Sequence, residues 1–215
     1  MTLDHEDLIN SIMESLGRVS FIHPDDIPNI DLYMDQVTGF IDKKLKNTAR
    51  HPSEERILTK TMINNYAKND LLPPPDRKRY NKEHILILVF IYYFKNILSI
   101  NDIQQMLHPL TERYFGKDGD LTIASIYEEV ASVEKEQLEE IKSDILKKYQ
   151  TSQEKFDEVE DEKEQEFLRL FAFICSLSYD VYVKKLLIEK ILDVSAPPEK
   201  DAKRSRRDKK KDGKP

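Results

Sequence analysis

Ten apolar residues in unbroken succession, Ile85 to Phe94 (ILILVFIYYF), constrain this chain more than any other feature. A helix built from them is apolar on every side, so other elements have to enclose it. Ten residues are about half of what a bilayer span requires, so the enclosure is protein and not lipid. The chain has 215 residues, enough for one compact domain or two small ones, and with 34% charged residues the remainder can supply solvated amphipathic walls. Glycine occurs only five times and long amphipathic stretches dominate, so the fold class is expected to be all-α.

Periodicity divides the rest. A short helical pattern, LDHEDLINSIMESL, precedes a Pro-punctuated connector, HPDDIPNID. Leu32, Val37, Phe40, Ile41 and Leu45 then predict a helix capped by Asp31 and ending near Asn47, with TARHPSEER as a loop. Thr59 can cap a helix of about ten residues. The apolar helix is expected over 83–97. In LSINDIQQML, Ser99 and Asp102 resemble a capping box above a packing stripe of Ile103, Met106 and Leu107. HPLTERYFGKDGDL reads as a loop. Two long helical segments follow, over about 122–149 and 153–193, the second opening on an acidic run at Glu154–Glu166 and expected to break. Neither keeps a heptad seam over four repeats, so a straight two-stranded coiled coil is one option among several. The tail, 195–215, is low in complexity and is expected to be disordered.

Charge is unevenly distributed. Residues 56–95 hold eight Lys/Arg against three acids and the tail holds nine against four, which leaves −16 for the remainder of a chain whose net charge is −6. Segregation of this kind suggests a local electrostatic footprint. It is densest in LTKTMINNYAKNDLLPPPDRKRY, residues 58–80. On a helical wheel, Met62, Ile63, Tyr66 and Ala67 share one side, while Thr61, Asn64, Asn65 and Lys68 share the other. Pro73, Pro74 and Pro75 then stiffen a turn that presents Arg77, Lys78 and Arg79. Asparagine can form a bidentate pair with adenine in the major groove, and Lys and Arg neutralise phosphates. Lys60, Thr61, Asn64, Asn65, Lys68, Arg77, Lys78, Arg79 and Lys82 are therefore the candidate DNA-binding residues. Tyr66 and Tyr80 read as core or hinge tyrosines.

The order Thr61, Asn64, Tyr66, Leu71-Leu72, prolines, basic cluster, Tyr80 and then Ile97 to Ile103 resembles the DNA-binding domain of MerR-type regulators. More closely, LYMDQV, LTKTMINNYAKNDLLPPP, RYNKEHI and LSINDI resemble a bacterial MerR-like family, domain-of-unknown-function family 1836, over roughly residues 28–110. The resemblance implies a MerR-like winged helix-turn-helix. Asn64 stands where the MerR pattern has an arginine and Asp70 where it has a glycine, and the wing is shorter and lacks its own glycine, so a full two-stranded wing is not expected. The cysteines of mercury-type sensors are missing, which argues against metal sensing on that pattern.

Other chemistry finds little support. Cys175 is the single cysteine, which leaves no internal disulfide and no CxxC site, and its apolar surroundings predict a buried core thiol. His5, His23, His51, His84 and His108 are scattered, with no metal-ligand spacing. No GxSxG, P-loop, GxGxxG or HExxH motif occurs, so neither enzymatic activity nor a cofactor is expected. The start lacks the pattern of a signal peptide, which predicts a cytoplasmic protein without a membrane. Phe167, Phe171, Phe173, Tyr179 and Tyr182 suit a packed core or a dimer interface better than an effector pocket. The expected organisation is an N-terminal helical extension (1–27), a MerR-like helix-turn-helix domain with a shortened wing (28–110), a C-terminal helical region that forms a homodimer (111–194) and the basic tail (195–215). The expected function is sequence-specific binding of double-stranded DNA in transcriptional regulation, and its rival is a non-enzymatic adaptor whose helix-turn-helix scaffold binds protein.

Overall fold

The computed structural model of the protein describes residues 5–16, 22–50 and 56–195. It is mostly helical, as the all-α expectation holds. The apolar run lies in helix α4, Lys82–Phe94, in which every residue from His84 to Tyr92 is buried. Earlier in the chain are α1 (His5–Leu16), α2 (Met34–Leu45) and α3 (Lys60–Lys68); after α4 come α5 (Ile100–Tyr114), α6 (Ile123–Gln153) and α7 (Glu162–Ser195). Two short strands, β1 (Leu32–Tyr33) and β2 (Arg79–Tyr80), pair antiparallel, with Leu32 opposite Tyr80 and Tyr33 opposite Arg79.

The walls around α4 come from segments between Ile22 and Leu192. Val37, Ile41 and Leu45 recur every four residues on α2 and are fully buried. Ile63 and Tyr66 of α3, Ile103 and Leu107 of α5, and Ile123 and Tyr127 of α6 join the same cluster, as do Ile22, Ile27 and Leu192. Phe90 stacks on Phe94 at 5.9 Å and meets the Tyr127 ring at 5.1 Å. Full burial of an aliphatic side chain stabilises by about 1.5–3 kcal/mol, and α4 concentrates such side chains in one helix.

Helix boundaries depart from the sequence reading in several places. Asp31 does not cap α2. The cap is Tyr33, whose backbone N–H donates to Gln36 Oε1 at 2.8 Å, because Leu32 and Tyr33 are first engaged in the strand pair. α2 ends at Leu45 and tightens into a 3-10 turn, Lys46–Thr48. α4 stops at Phe94, with Lys95 as its C-cap. The expected loop from His108 is instead the last part of α5, which continues through Pro109 to Tyr114. Loss of the Pro109 N–H costs a helix bond, but Leu110, Tyr114 and Phe115 beyond it pack against the core.

α6 extends to Gln153, and the first half of the acidic run is a reversal, not a helix. Phe156 adopts a left-handed φ of 61°. Asp161 Oδ1 caps α7 by accepting from the Glu164 N–H at 2.9 Å. Gln165 donates to the Phe156 carbonyl at 2.8 Å, and Arg169 donates to the Lys155 carbonyl at 2.9 Å and pairs with Asp157 at 2.7 Å. α6 and α7 therefore fold back on each other, joined by Lys148–Asp180 at 2.9 Å and the Tyr149–Phe173 edge contact at 5.4 Å. Cys175 is exposed on α7, contrary to the core assignment, because only one side of that helix meets α6. The disorder expected of the tail falls on residues 196–215, outside the described residues.

His84 offers a test of how the start of α4 is held. Its N–H donates to Asn81 Oδ1 and its Nδ1 accepts from the Asn81 N–H, both at 3.1 Å, while its ring lies between Tyr80 and Phe115. Nε2 has no partner in hydrogen-bonding geometry. Burial lowers the His84 pKa, against the opposing pull of the Pro74 and Pro73 carbonyls and the Asp31 charge. A histidine with a depressed folded pKa contributes stability that is complete above its unfolded value, about 6.5, and is lost as pH falls through the folded value. The urea midpoint should therefore drop between pH 7.5 and pH 5.5, and His84→Gln, which retains a side-chain acceptor for the Asn81 N–H, should reduce that drop. An equal drop in both proteins would remove His84 as the cause.

Candidate nucleic-acid interface

α3 begins at a real cap: Thr59 Oγ1 accepts from the Met62 N–H at 3.2 Å. Ile63 and Tyr66 bury one face, with Met62 half-buried beside them, and burial raises the Tyr66 pKa. Thr61, Asn64, Asn65 and Lys68 are all exposed on the other face. The helix ends in a Schellman motif, with the Leu71 N–H donating to the Tyr66 carbonyl at 3.0 Å and the Asp70 N–H to the Ala67 carbonyl at 3.4 Å. That motif places its penultimate residue in the left-handed region, and Asp70 is there, at φ 55°. Leu71 and Leu72 then drop into the core and fix where the proline segment leaves.

After the prolines the chain reverses over Asp76–Arg79. The Arg79 N–H donates to the Asp76 carbonyl at 2.8 Å, and the two central residues, Arg77 and Lys78, have φ of 46° and 64°. Two successive left-handed residues are what a two-residue hairpin turn needs. This segment is thus a minimal hairpin with one bridge between Asp76 and Arg79, and its far strand pairs with β1. Arg77, Lys78 and Arg79 are exposed, Lys82 is half-buried in the first turn of α4, and Tyr80 between them is buried, which raises its pKa.

The two basic groups converge on the N-terminal end of α2. Lys60, at the start of α3, forms an ion pair with Asp35 in the first turn of α2. Arg79 lies over the ring of Tyr33, the α2 cap, with its guanidinium carbon 6.0 Å from the ring centre. Tyr33 and Asp35 were not among the residues that the sequence singled out, because each is far in the chain from the cation it meets. Lys60 differs from the other candidates in that its ammonium already has a carboxylate partner, although both side chains are more than half exposed and water screens the pair. Among the described residues, no group of three or more His, Cys, Asp or Glu could hold a metal ion, and no helix is long and apolar enough to cross a membrane.

The left-handed residues yield a stability prediction. A non-glycine residue there costs about 1–2 kcal/mol, and glycine returns about 0.4–1 kcal/mol of that as extra freedom in the unfolded chain. Asp70→Gly and Lys78→Gly should each raise the stability measured by urea unfolding, by about 0.5–1 kcal/mol. A loss at either position would show that its present side chain makes contacts worth more than the strain.

No curated protein and no solved structure matches the chain. A family model, described as domain of unknown function (DUF1836), matches residues 22–130. The match covers just over half of the chain and contains α2 to α5, both strands, the beginning of α6 and every residue of the basic surface. The chain belongs to the DUF1836 family.

Proposed function

We propose that this protein is a DNA-binding transcriptional regulator in which a MerR-like helix-turn-helix plan presents α3 to the major groove and the Asp76–Arg79 hairpin to the adjoining backbone. One observation carries the reading: Thr61, Asn64, Asn65 and Lys68 are all exposed on a helix anchored through Ile63 and Tyr66, and the Arg77–Arg79 turn is fastened to the same helix end of α2 as the start of α3. Asn64, Asn65 and Thr61 face base edges, and Lys68, Arg77, Lys78, Arg79 and Lys82 meet phosphates. Lys60 contributes to phosphate binding after exchanging its Asp35 partner. The connection between α2 and α3 runs from residue 46 to 59, much longer than the three- or four-residue turn of a compact helix-turn-helix. Support therefore comes from the exposed face and the hairpin and not from a tight turn.

A homodimer through the C-terminal helices completes the proposal. Phe167, Phe171, Ile174, Val181 and Tyr182 lie along one side of α7 and are each between 51% and 64% exposed. A strip of that kind rarely stays in water on a monomer. A second copy would cover it, Cys175 would lie close to the junction, and the twofold axis would suit a palindromic site. Light scattering at micromolar concentration should give twice the chain mass, and Phe171→Glu with Ile174→Glu should return the monomer.

DNA binding is tested by how two groups of side chains fail. Arg77→Ala with Arg79→Ala should weaken binding on every sequence alike, and the slope of log affinity against log salt should become shallower by about 0.9 per lost contact. Asn64→Ala should leave that slope intact and cost about 1–3 kcal/mol on the preferred site only. All three residues are exposed, so the fold should tolerate each change. Wild-type protein without salt-dependent DNA binding would overturn the reading and favour the adaptor, in which the basic turn receives an acidic protein surface.

A further inference from the structure

Arg77 and Arg79 belong to the same turn, but the fold treats them differently. Arg79 opens β2 and stands directly opposite Tyr33 of β1. Arg77 and Lys78 occupy the two central positions of the reversal, before the strand pair begins. Side chains directly opposite each other on an antiparallel ladder share one side of it, with their Cβ atoms about 4.5–5.5 Å apart. The neighbouring pair, Leu32 and Tyr80, is buried, at 5% and 4% exposure. Strand side chains alternate, so burial of Leu32 and Tyr80 turns Tyr33 and Arg79 outward together.

The backbone under this outward pair is fixed on both strands. The Tyr33 N–H donates to Gln36 Oε1 at 2.8 Å, and the Arg79 N–H donates to the Asp76 carbonyl at 2.8 Å. The Arg79 guanidinium carbon then lies 6.0 Å from the centre of the Tyr33 ring, and Tyr33 is 56% exposed. A ring left more than half in water adds little to the core; what it supplies is a negative face for a cation. That attraction acts on the charge as a whole, so the guanidinium fork remains available for a phosphate. Ordering a free side chain of this length on binding lowers affinity by about two- to tenfold. An arginine already ordered on a ring avoids part of that loss.

We propose that Tyr33 is a positioning residue that orders Arg79 before DNA arrives and makes Arg79 the dominant phosphate contact of the turn, ahead of Arg77; the inference rests on the DNA-binding reading above. Tyr33 needs no contact of its own with DNA for this role. Lysine is a poor replacement for Arg79, since its compact ammonium lacks the planar fork that both the ring and a phosphate engage. Tyr33 is also the cap of α2, whose first turn holds Lys60 through Asp35. One helix end therefore sets where a hairpin cation and an α3 cation both stand.

The first arm of the test uses the full chain without DNA. The NMR order parameter of the Arg79 Nε–H should exceed that of Arg77, fall to the Arg77 level in Tyr33→Leu and survive in Tyr33→Phe, which keeps the ring. The second arm uses a mixed-sequence DNA duplex. Tyr33→Leu should weaken binding by about two- to tenfold and leave the slope of log affinity against log salt unchanged, because no charge is removed. Arg79→Ala should make that slope shallower by about 0.9. Adding Tyr33→Leu to Arg79→Ala should cost nothing further, whereas a merely structural role would weaken binding in that background too. Arg79→Lys should lose more affinity than Arg77→Lys. Wild-type protein that binds the duplex with Arg79 as mobile as Arg77 overturns the positioning role alone, as does equal weakening by Tyr33→Leu in both backgrounds. Wild-type protein with an ordered Arg79 and no salt-dependent binding overturns the regulator reading, and the positioning role with it.

Discussion

Burial of α4 on all sides is the constraint from which the remaining architecture follows. A helix with one apolar stripe can rest on a single neighbour, but α4 has no polar stripe over His84–Tyr92 and must be surrounded. That requirement places α2 and α5 beside it, brings α6 back through Ile123 and Tyr127, and draws in Leu192 from the far end of α7. The basic surface depends on the same packing. Its hairpin strand leads directly into the Asn81 cap of α4, and its helix α3 is anchored by side chains of the same core.

Conformational strain gathers at the edges of this surface. Asp70, Arg77 and Lys78 occupy left-handed backbone, a region in which glycine meets no penalty. At Asp70 the Schellman geometry demands it, and at Arg77 and Lys78 the reversal into β2 demands it. The side chains retained there are charged and point away from the core, and they include two of the proposed phosphate ligands.

What the sequence revealed divides along local and distant causes. The enclosed helix, the Thr59 cap, the Ser99–Asp102 capping box and the two faces of α3 were legible, because each depends on residues within one or two turns. The cap of α2 was misplaced because β1 claims Leu32 and Tyr33 through a partner at residues 79–80, which no local pattern announces. Pro109 suggested a loop on propensity, and packing of Leu110 and Tyr114 overrode it. Cys175 read as core because α7 is apolar on several sides, and the structure assigns only part of that surface to α6. Within the basic surface, the exposed residues of α3 and the turn could be named from the sequence. The Lys60–Asp35 pair and the Tyr33 platform under Arg79 could not, because they join segments brought together by the fold.

Enclosure of α4 by later segments has a consequence for synthesis. Tyr127, which packs on Phe90, follows Tyr92 by 35 residues, and Leu192 follows it by 100. At about 5–20 residues per second, the apolar helix leaves the ribosome roughly 2–7 s before its α6 cover and about 5–20 s before α7 arrives. For that interval the earlier segments can pack on the apolar helix, but the part that α6 and α7 later cover stays open ahead of a strongly acidic stretch. Its solubility as it grows depends on those charges and on chaperones, and changes that slow elongation between residues 95 and 127 lengthen the exposure without touching the finished fold.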